Sequence, residues 1–410
     1  MNGKKLNKIL ILSVWEDIWA LEDGCGVPDE LLFMRGLAEN GIEIHYMRPR
    51  PAESRPGNDL DNIHEYNYPN IFRKLSALPG PLSRLVLCFV LPGLLYNRIR
   101  GIAEEIKPDI ILGFSHHSIQ PVSKVGRELN IPTAVKLFGV MHLGREDENI
   151  FDYYYHNFDQ INSLRFPVDH YLVLNDGTMG KKALMAREIP ESRITFLQNG
   201  MNLEWAEREV DRIKTRKSFG LPRDRVLIIT LSRFVKSKRI DHLIRAVSQL
   251  DREALEMISL VIAGDGPRRK YLHRLSRSCG LEGKTIFTGS IPYEDVPDIF
   301  KSCDIFVGTN QLSNMTMPPC EALLCGLPVV AYDVAGTAEV VRDGETGLLA
   351  ENGNIDELAR RIGLLVKDSS LREKISGNAS RFSRKYFLDW EERIRQELET
   401  LNNIIGGNRE

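Results

Sequence analysis

The chain has 410 residues, more than one hydrophobic core usually serves, so at least two domains are expected. Its 54 Lys and Arg residues nearly balance 56 Asp and Glu residues, for a formal charge of -2. This balance excludes a general basic surface for nucleic acid. The six cysteines are scattered and include no Cys-x-x-Cys pair. That pattern is typical of a reduced intracellular protein, and we expect a cytoplasmic location.

The first half alternates apolar runs with helical patterns, which indicates a doubly wound α/β domain over residues 1–205. Gly24 and Gly26 lie in the loop after the first run, residues 8–14. They allow the backbone to approach a ligand closely, although a tight turn alone would also explain them. A helix is predicted over residues 29–37. Further strands are predicted at residues 42–47, 108–114, 132–138, 169–175 and 193–197.

Two stretches interrupt this alternation. Residues 48–70 are rich in Pro, Asn, Asp and Arg and predict a loop. Residues 82–96 are strongly apolar but shorter than the roughly 18–20 apolar residues of a membrane-spanning helix. They predict either a buried helix broken at Pro92 and Gly93 or a patch that lies on a membrane surface. The second interpretation uses the basic residues Arg73, Lys74 and Arg84.

Three histidines follow predicted strands of this half, where α/β proteins gather functional groups. His116 and His117 come after residues 108–114, and His142 comes after residues 132–138. All three can act as ligands or bases. Because two adjacent histidines lack the spacing of a helical metal pair, a turn is the alternative for His116 and His117.

A second α/β series begins after the charged residues 204–218 and predicts a second domain over residues 206–383. Residues 384–410 form a tail with a helical apolar pattern. Gly264 closes one strand in a Gly-Asp-Gly turn. The predicted strands are residues 226–231, 258–263, 285–289, 304–307, 328–332 and 347–350.

Residues 308–332 read as strand end, loop, helix and strand, with the helix beginning near Pro318 or Pro319 and ending at Gly326. The free amides of such a helix start attract an anion such as a phosphate. Glu321 lies near this start. It can interact favourably with the helix dipole only, or it can accept hydrogen bonds from ribose hydroxyls.

Arg233 and Lys238 are five residues apart in a loop that leaves a strand and enters a helix. Turned inward, they offer a planar fork and a point charge to one diphosphate. A solvated basic turn is the alternative, and the residues alone do not decide between the two.

An ordered set of motifs resembles family 4 (group 1) retaining glycosyltransferases of the GT-B fold. The set consists of residues 232–238 (SRFVKSK), 261–267 (VIAGDGP), 287–289 (FTG) and 321–330 (EALLCGLPVV), with Asn199-Gly200 and the N-terminal glycine loop matching more weakly. The resemblance implies two Rossmann-like domains facing a central cleft. The first would bind the acceptor and the second a nucleotide sugar, and the tail helix would cross back to the first domain.

The resemblance also implies roles for single residues. Arg233 and Lys238 would neutralise the diphosphate, and Glu321 would hold the ribose. Gly24 and Gly26 would lie over the diphosphate and donor sugar, and His142 would lie near the reacting sugar. Gly264 would lie beside the donor.

One position departs from the family pattern. Ser313 replaces the first of two glutamates usually separated by seven residues, and the segment after it is Asn314, Met315 and Thr316 instead of Gly-Phe-Gly. Serine can bind a sugar hydroxyl but cannot act as a carboxylate nucleophile. This favours a front-face mechanism in which the leaving diphosphate takes the acceptor proton. No metal-ligand cluster is visible, so no metal or other cofactor is expected.

We therefore expect a hexosyltransferase that moves a sugar from a nucleotide diphosphate donor to a hydroxyl acceptor, in polysaccharide or glycolipid synthesis. The apolar and basic stretch at residues 73–98 suggests a lipid-linked acceptor and peripheral contact with a membrane. The alternatives are another GT-B enzyme, such as an epimerase or a phosphorylase, or an inactive subunit that binds a nucleotide sugar. The sequence does not indicate the donor base, the sugar, the acceptor or the oligomeric state.

Overall fold

The computed structural model describes residues 5–14, 28–50, 61–71, 83, 86–138, 150–174, 180–311 and 317–407. Within them the chain divides into two compact units. Met1–Asn175 and Met179–Gly200 together with Leu388–Glu410 belong to the first unit, and Met201–Phe387 falls in the second. The C-terminal segment therefore packs within the first unit.

The first unit is built on a seven-stranded parallel sheet of order β3-β2-β1-β4-β5-β6-β7. Its strands are β1 (Lys8–Leu12), β2 (Glu43–Pro49), β3 (Ile63–Tyr68), β4 (Ile110–Phe114), β5 (Thr133–Leu137), β6 (His170–Leu174) and β7 (Ile194–Leu197). The short strands β8 (Gly200–Met201) and β15 (Leu388–Asp389) form a separate two-stranded sheet. Its helices are Pro28–Glu39, Leu91–Ile106, Ile119–Leu129, Ile150–Ser163, Gly180–Met185 and Trp390–Gly406.

Alternate residues of these strands point to opposite faces of the sheet, and both faces are buried. Ile9 and Ile11 of β1 pack in one apolar cluster, whereas Leu10 and Leu12 pack in another. A strand that is apolar on both faces is a continuous apolar run in the sequence, which is why all of these strands except the edge strand β3 were predicted.

The edge strand β3 corrects the prediction that residues 48–70 form a loop. Ile63–Tyr68 pairs in parallel with β2 alone. Its sequence, IHEYNY, is polar because an edge strand is partly solvated and carries few buried side chains. The apolar signal used to predict strands is therefore weak here.

The apolar stretch after β3 forms one helical segment, in which a π-helical turn at Val86–Val90 continues into the helix Leu91–Ile106. The predicted break at Pro92 and Gly93 is wrong, because Pro92 lies in the first turn of the α-helical part, where a missing N–H is tolerated. By length and composition alone, Val86–Ile106 suffices to cross a membrane, and 33% of its most apolar window is buried.

The second unit is built on a six-stranded parallel sheet of order β11-β10-β9-β12-β13-β14. Its strands are β9 (Val226–Leu231), β10 (Ile258–Ala263), β11 (Thr285–Gly289), β12 (Ile305–Gly308), β13 (Val329–Asp333) and β14 (Gly347–Glu351). Its helices are Arg212–Ser218, Ile240–Ser248, Arg252–Met257, Arg269–Ser278, Val296–Ser302, Met317–Leu324, Thr337–Val340, Ile355–Lys367 and Ser369–Tyr386.

The tail helix begins at Trp390, six residues later than predicted. Ser369–Tyr386 ends in the second unit, and Asp389 caps the last helix by accepting a hydrogen bond from the Glu392 N–H at 2.7 Å. The helical pattern at residues 384–405 thus spans the end of one helix and most of the next.

Candidate active site

Both sheets have a topological switch point, the place where the strand order reverses and ligands of α/β proteins usually bind. In the second unit it lies between the neighbouring strands β9 and β12, and in the first unit between β1 and β4. The loops that leave the carboxyl ends of these strands carry several of the predicted site residues.

Arg233 and Lys238 follow β9 directly, at the second unit's switch point. Arg233 is exposed and Lys238 is partly buried. Burial lowers the pKa of Lys238, and the neighbouring Arg233 charge lowers it further. Within the described part of the chain, neither residue has an ion pair with a carboxylate. Two close cations without a carboxylate form a site that favours an anion.

The loop between these two residues is held by neighbouring loops on both sides. The N–H of Phe234 donates to the Asp265 carbonyl at 2.8 Å, and the Thr309 hydroxyl donates to the Lys238 carbonyl at 2.8 Å. The N–H of Gln311 donates to the Ser237 carbonyl at 2.8 Å. The cations therefore sit on a loop whose backbone is already positioned.

Gly264 allows the loop after β10 to pack closely against the loop that carries Arg233. Its φ is +121°, and a Cβ there would lie 2.0 Å from the Ser232 carbonyl oxygen. Its own N–H donates to the Gly289 carbonyl at 2.7 Å. Gly264 thus packs one strand-end loop against another, whereas its predicted contact with the donor remains a prediction.

The predicted helix after β12 is present as Met317–Leu324, and it ends at Gly326, whose φ is +73°. Two of its first four residues, Pro318 and Pro319, have no N–H. The helix start therefore offers fewer amides to an anion than an ordinary one. Arg233 and Lys238 add formal positive charge near the same switch point.

Glu321 lies inside this helix and is 4% exposed. Burial raises the pKa of its carboxyl to about 8, and a hydrogen bond with the Tyr293 side chain opposes that rise. The Tyr293 ring contacts Trp205, with ring centroids 5.0 Å apart. A buried carboxyl with one hydroxyl partner has the chemistry to accept further hydroxyl groups. Sequence reasoning missed Tyr293, which precedes a different helix.

The remaining predicted donor residues lie outside the described residues. These are Gly24, Gly26, His142, Ser313, Asn314, Met315 and Thr316. Their roles stay predictions, as do those of Arg233, Lys238, Gly264 and Glu321.

At the first unit's switch point, His116 and His117 form a short 3-10 turn after β4. The predicted turn is therefore present. The fold also brings Asp159, from the helix Ile150–Ser163, to 3.0 Å from His116 Nε2 and 3.8 Å from His117 Nε2. No sequence signal linked Asp159 to these histidines.

A cavity of about 530 Å³ opens at the amino ends of β9 and β12, the edge opposite Arg233 and Lys238. Two of its arginines already have a carboxylate partner: Arg212 and Arg216 pair with Asp304 at 2.7 and 2.8 Å. Ligand sites of α/β sheets lie at the carboxyl ends, so we do not regard this cavity as the candidate site.

Comparison with known proteins confirms the resemblance to group 1 glycosyltransferases, whereas membership of family 4 and retention of configuration stay predictions. Residues 211–382 match the family described as glycosyl transferases group 1. A GDP-mannose-dependent alpha-(1-6)-phosphatidylinositol monomannoside mannosyltransferase of Mycolicibacterium smegmatis is 31% identical over 230 residues, 54% of this chain and 58% of that protein. An uncharacterized glycosyltransferase of Methanocaldococcus jannaschii is 30% identical over 200 residues, 47% of this chain and 50% of that protein. The chain spans about half the length of these relatives.

Solved structures extend the likeness to the whole fold. Anabaena HepE in complex with UDP has a TM-score of 0.72 at 19% identity, over 97% of this chain and 100% of that chain. Sucrose-phosphate synthase from Thermosynechococcus elongatus has a TM-score of 0.74 at 16% identity, over 97% of this chain and 99% of that chain. The predicted GT-B fold is thereby confirmed.

Proposed function

We propose that the protein is a glycosyltransferase that moves a sugar from a nucleotide diphosphate donor to a hydroxyl acceptor. The observation that carries the proposal is the pair Arg233 and Lys238, two close cations at the switch point of a unit that matches group 1 glycosyltransferases. A relative whose name includes GDP-mannose, and a neighbour solved with UDP, support a nucleotide-linked donor.

The chemistry follows from where charge develops. When the bond between the sugar and the diphosphate breaks, negative charge grows on the leaving diphosphate. Arg233 can bind two of its oxygens with a planar fork, and Lys238 supplies a point charge. Because Lys238 is partly buried, its interaction with that charge is less screened than at a free surface.

We propose retention of anomeric configuration by a front-face reaction. A new bond forms between the acceptor oxygen and the anomeric carbon on the face that the diphosphate leaves, and a diphosphate oxygen takes the acceptor's proton. Ser313 supports this proposal, since a serine does not provide the carboxylate that a covalent glycosyl intermediate needs. Arg233 and Lys238 would replace a divalent ion, so the reaction would need no metal.

Alanine variants of the two cations test the proposal. Arg233→Ala and Lys238→Ala should each lower turnover by about 100- to 1000-fold, the effect typical of losing a group that stabilises developing negative charge. Lys236→Ala is the matched control, because Lys236 is an exposed cation of the same loop. Turnover within a few fold of normal in both site variants would contradict the proposal.

The assay should measure released nucleoside diphosphate from UDP- and GDP-sugars, with and without a panel of hydroxyl acceptors. Release that requires the acceptor identifies a transferase. Conversion of one nucleotide sugar into another without release would identify an epimerase, and phosphate-dependent release of sugar phosphate a phosphorylase. Calorimetric binding of a nucleotide sugar with no turnover would identify an inactive subunit.

We also propose a cytoplasmic protein that contacts a membrane surface and uses a lipid-linked acceptor in polysaccharide or glycolipid synthesis. The helical segment that begins at Val86 leaves large apolar side chains exposed: Phe89 is 62% exposed and Leu94 is 50% exposed. Phe151 and Phe158 of the next helix are 84% and 40% exposed, and the Phe89 and Phe158 ring centroids are 6.5 Å apart. An exposed apolar patch of this kind supports binding at an interface.

Vesicle sedimentation tests this surface. Phe89→Ser and Leu94→Ser should together lower binding to phosphatidylglycerol-containing vesicles by about tenfold or more, since each removes a side chain worth about 1.5–3 kcal/mol when fully buried. Ile213→Ser is the control, because Ile213 is 60% exposed in the second unit. Unchanged binding in the double variant, or no vesicle binding by the normal protein at low salt, would refute this contact.

A further inference from the structure

The switch point of the first unit carries a second cluster of functional side chains. His116 and His117 follow the central strand β4, and Asp159 reaches them from the helix Ile150–Ser163. The three side chains are partly buried, with exposed fractions of 19%, 13% and 21%. They are therefore accessible to a small ligand, yet mostly removed from bulk water.

The backbone is shaped to present the two imidazoles. Ser115, between β4 and the turn, has a φ of +72°, a conformation that costs energy for any residue other than glycine. The Ser118 hydroxyl donates to the Ser115 carbonyl at 2.6 Å and closes the turn. A Cβ on Gly113 would lie 2.2 Å from the Ser118 hydroxyl oxygen, so this position needs glycine.

The geometry points to a site for one transition-metal ion of the Zn²⁺ class, bound by His116, His117 and Asp159, and we propose this site. One ligand atom from each residue lies within 4.8 Å of the others. Ligands at about 2.0–2.1 Å from a tetrahedral Zn²⁺ lie about 3.3 Å apart. The observed separations of 3.0 and 3.8 Å from Asp159 Oδ2 to the two Nε2 atoms bracket that value.

A contact at the other ring nitrogen of His116 favours the same arrangement. The Ser115 hydroxyl lies 3.4 Å from His116 Nδ1, which leaves Nε2 as the ring atom directed at Asp159. Metal-binding histidines usually have such a partner at the other ring nitrogen. Three protein ligands leave a fourth position of the ion open for water or a hydroxyl group.

A second group of three ligand-type residues, Glu43, His45 and His64, fits a metal less well. Glu43 already hydrogen-bonds His45 at 2.8 Å and lies 3.2 Å from Lys8. The other ring nitrogen of His45 lies 3.0 Å from the Tyr66 hydroxyl. His64 is 50% exposed and 4.0 Å from Glu43. A metal would replace a hydrogen bond in either group, since His116 Nε2 also bonds Asp159 at 3.0 Å. The Glu43 group would in addition disturb the contacts with Lys8 and Tyr66, and one of its members is half exposed.

The test uses the full chain without an affinity tag, stripped of metal by a chelator. Titration with Co²⁺ should give visible absorption bands and saturate at one equivalent, and Zn²⁺ should displace it. His116→Gln, His117→Gln and Asp159→Asn should each weaken binding by about 10- to 100-fold or more. His64→Gln, from the competing group, should leave binding unchanged.

A measurement on the unmutated protein keeps the test independent of variant folding. Zn²⁺ should protect His116 and His117, but not His64, from diethyl pyrocarbonate, as read by mass spectrometry. The proposal is overturned by absence of one-to-one Co²⁺ or Zn²⁺ binding at micromolar concentration. It is equally overturned by loss of binding in His64→Gln alone, or by a thiolate charge-transfer band that assigns the ion to cysteine.

Discussion

The two units place opposite chemistry on the same topology. In each sheet the strand order reverses beside the first strand, at β1 and β4 in one unit and at β9 and β12 in the other. The second unit presents Arg233 and Lys238 there, which favours an anion. The first unit presents two histidines and a carboxylate, which favours a cation. A switch point therefore provides a location for a ligand, and the loop residues decide the kind of ligand.

The sheets differ in the interior as well. The fifth strand of each unit, β5 and β13, is largely buried, but β5 contains Lys136, which is 0% exposed. Its ammonium lies 3.1 Å from Glu397 of the C-terminal helix and 4.2 Å from the Phe33 ring centroid. β13 has only apolar side chains and Tyr332 at its buried positions. The first unit thus depends on a buried ionic contact with its C-terminal segment.

The largest expected effect comes from breaking that contact. Glu397 also binds Arg393, at 2.6 Å, so one carboxylate serves two buried cations. Glu397→Gln should lower the free energy of unfolding by about 3–5 kcal/mol, because both cations remain buried without it. Urea unfolding followed by circular dichroism measures this change.

Glu399→Gln provides the matched control on the same helix. Glu399 pairs with Arg395 at 2.6 Å, but its side chain is 60% exposed. Solvent-exposed pairs contribute little, so this variant should unfold almost as the normal protein does. Equal free energies of unfolding for the two variants would show that the buried contact of Glu397 stabilises the first unit no more than the exposed pair of Glu399 does.

A smaller effect, a loss of nucleotide affinity, is expected from adding a side chain at Gly264. This residue packs against the loop at the second unit's switch point. Gly264→Ala places a methyl group against the Ser232 carbonyl and should move the loop of Arg233, with at least about tenfold weaker binding of UDP or GDP. Calorimetry measures the affinity. A binding constant equal to that of the normal protein would argue against tight packing of these loops.

Gly289→Ala is the control for backbone strain alone. Gly289 also has a positive φ, +77°, but a Cβ there meets no atom within 4 Å. This variant should cost about 1–2 kcal/mol of stability while leaving nucleotide affinity nearly unchanged. Comparing Gly264→Ala with Gly289→Ala therefore separates the effect of backbone strain from the effect of a methyl group that displaces the neighbouring loop.

The sequence predicts the second unit better than the first, for physical reasons. Strands β9, β10 and β11 begin and end at the predicted residues. β9 and β10 lie inside the sheet and are apolar runs because both of their faces are buried, whereas β11 is a partly buried edge strand that ends at Gly289. The edge strand β3 is polar and was missed. The start of the last helix was readable, since Asp389 is followed three residues later by Glu392, as in a helix cap.

Site residues divide in the same way. Arg233, Lys238 and Glu321 lie in local motifs and could be proposed from the sequence. Asp159 and Tyr293 lie outside such motifs, and only the fold brings them to His116 and to Glu321. Residues that are distant in the sequence and meet only through tertiary packing show no characteristic spacing in a single sequence.

The smallest effect concerns Glu321 and is a pH dependence. Its carboxyl pKa is raised to about 8, so the carboxyl is mostly protonated at pH 6.5 and becomes a full acceptor as pH rises. If Glu321 accepts the ribose hydroxyls, affinity for UDP or GDP should rise by up to about tenfold per pH unit between pH 6.5 and 8, then level off. Calorimetry across this range measures it, and a 2′,3′-dideoxy nucleotide or the Glu321→Gln variant should give a flat profile.

Stability should change in the opposite direction, which separates titration of Glu321 from general effects of pH. Between about pH 4.5 and 8 the folded protein holds a proton on Glu321 that the unfolded chain releases, so Glu321 makes the folded state less stable as pH rises through this window. Glu321→Gln should remove that slope in thermal unfolding. A normal protein whose affinity is constant from pH 6.5 to 8.5 would contradict the ribose role, even if the stability slope is present. The buried carboxyl would then serve only the packing of its helix beside Tyr293.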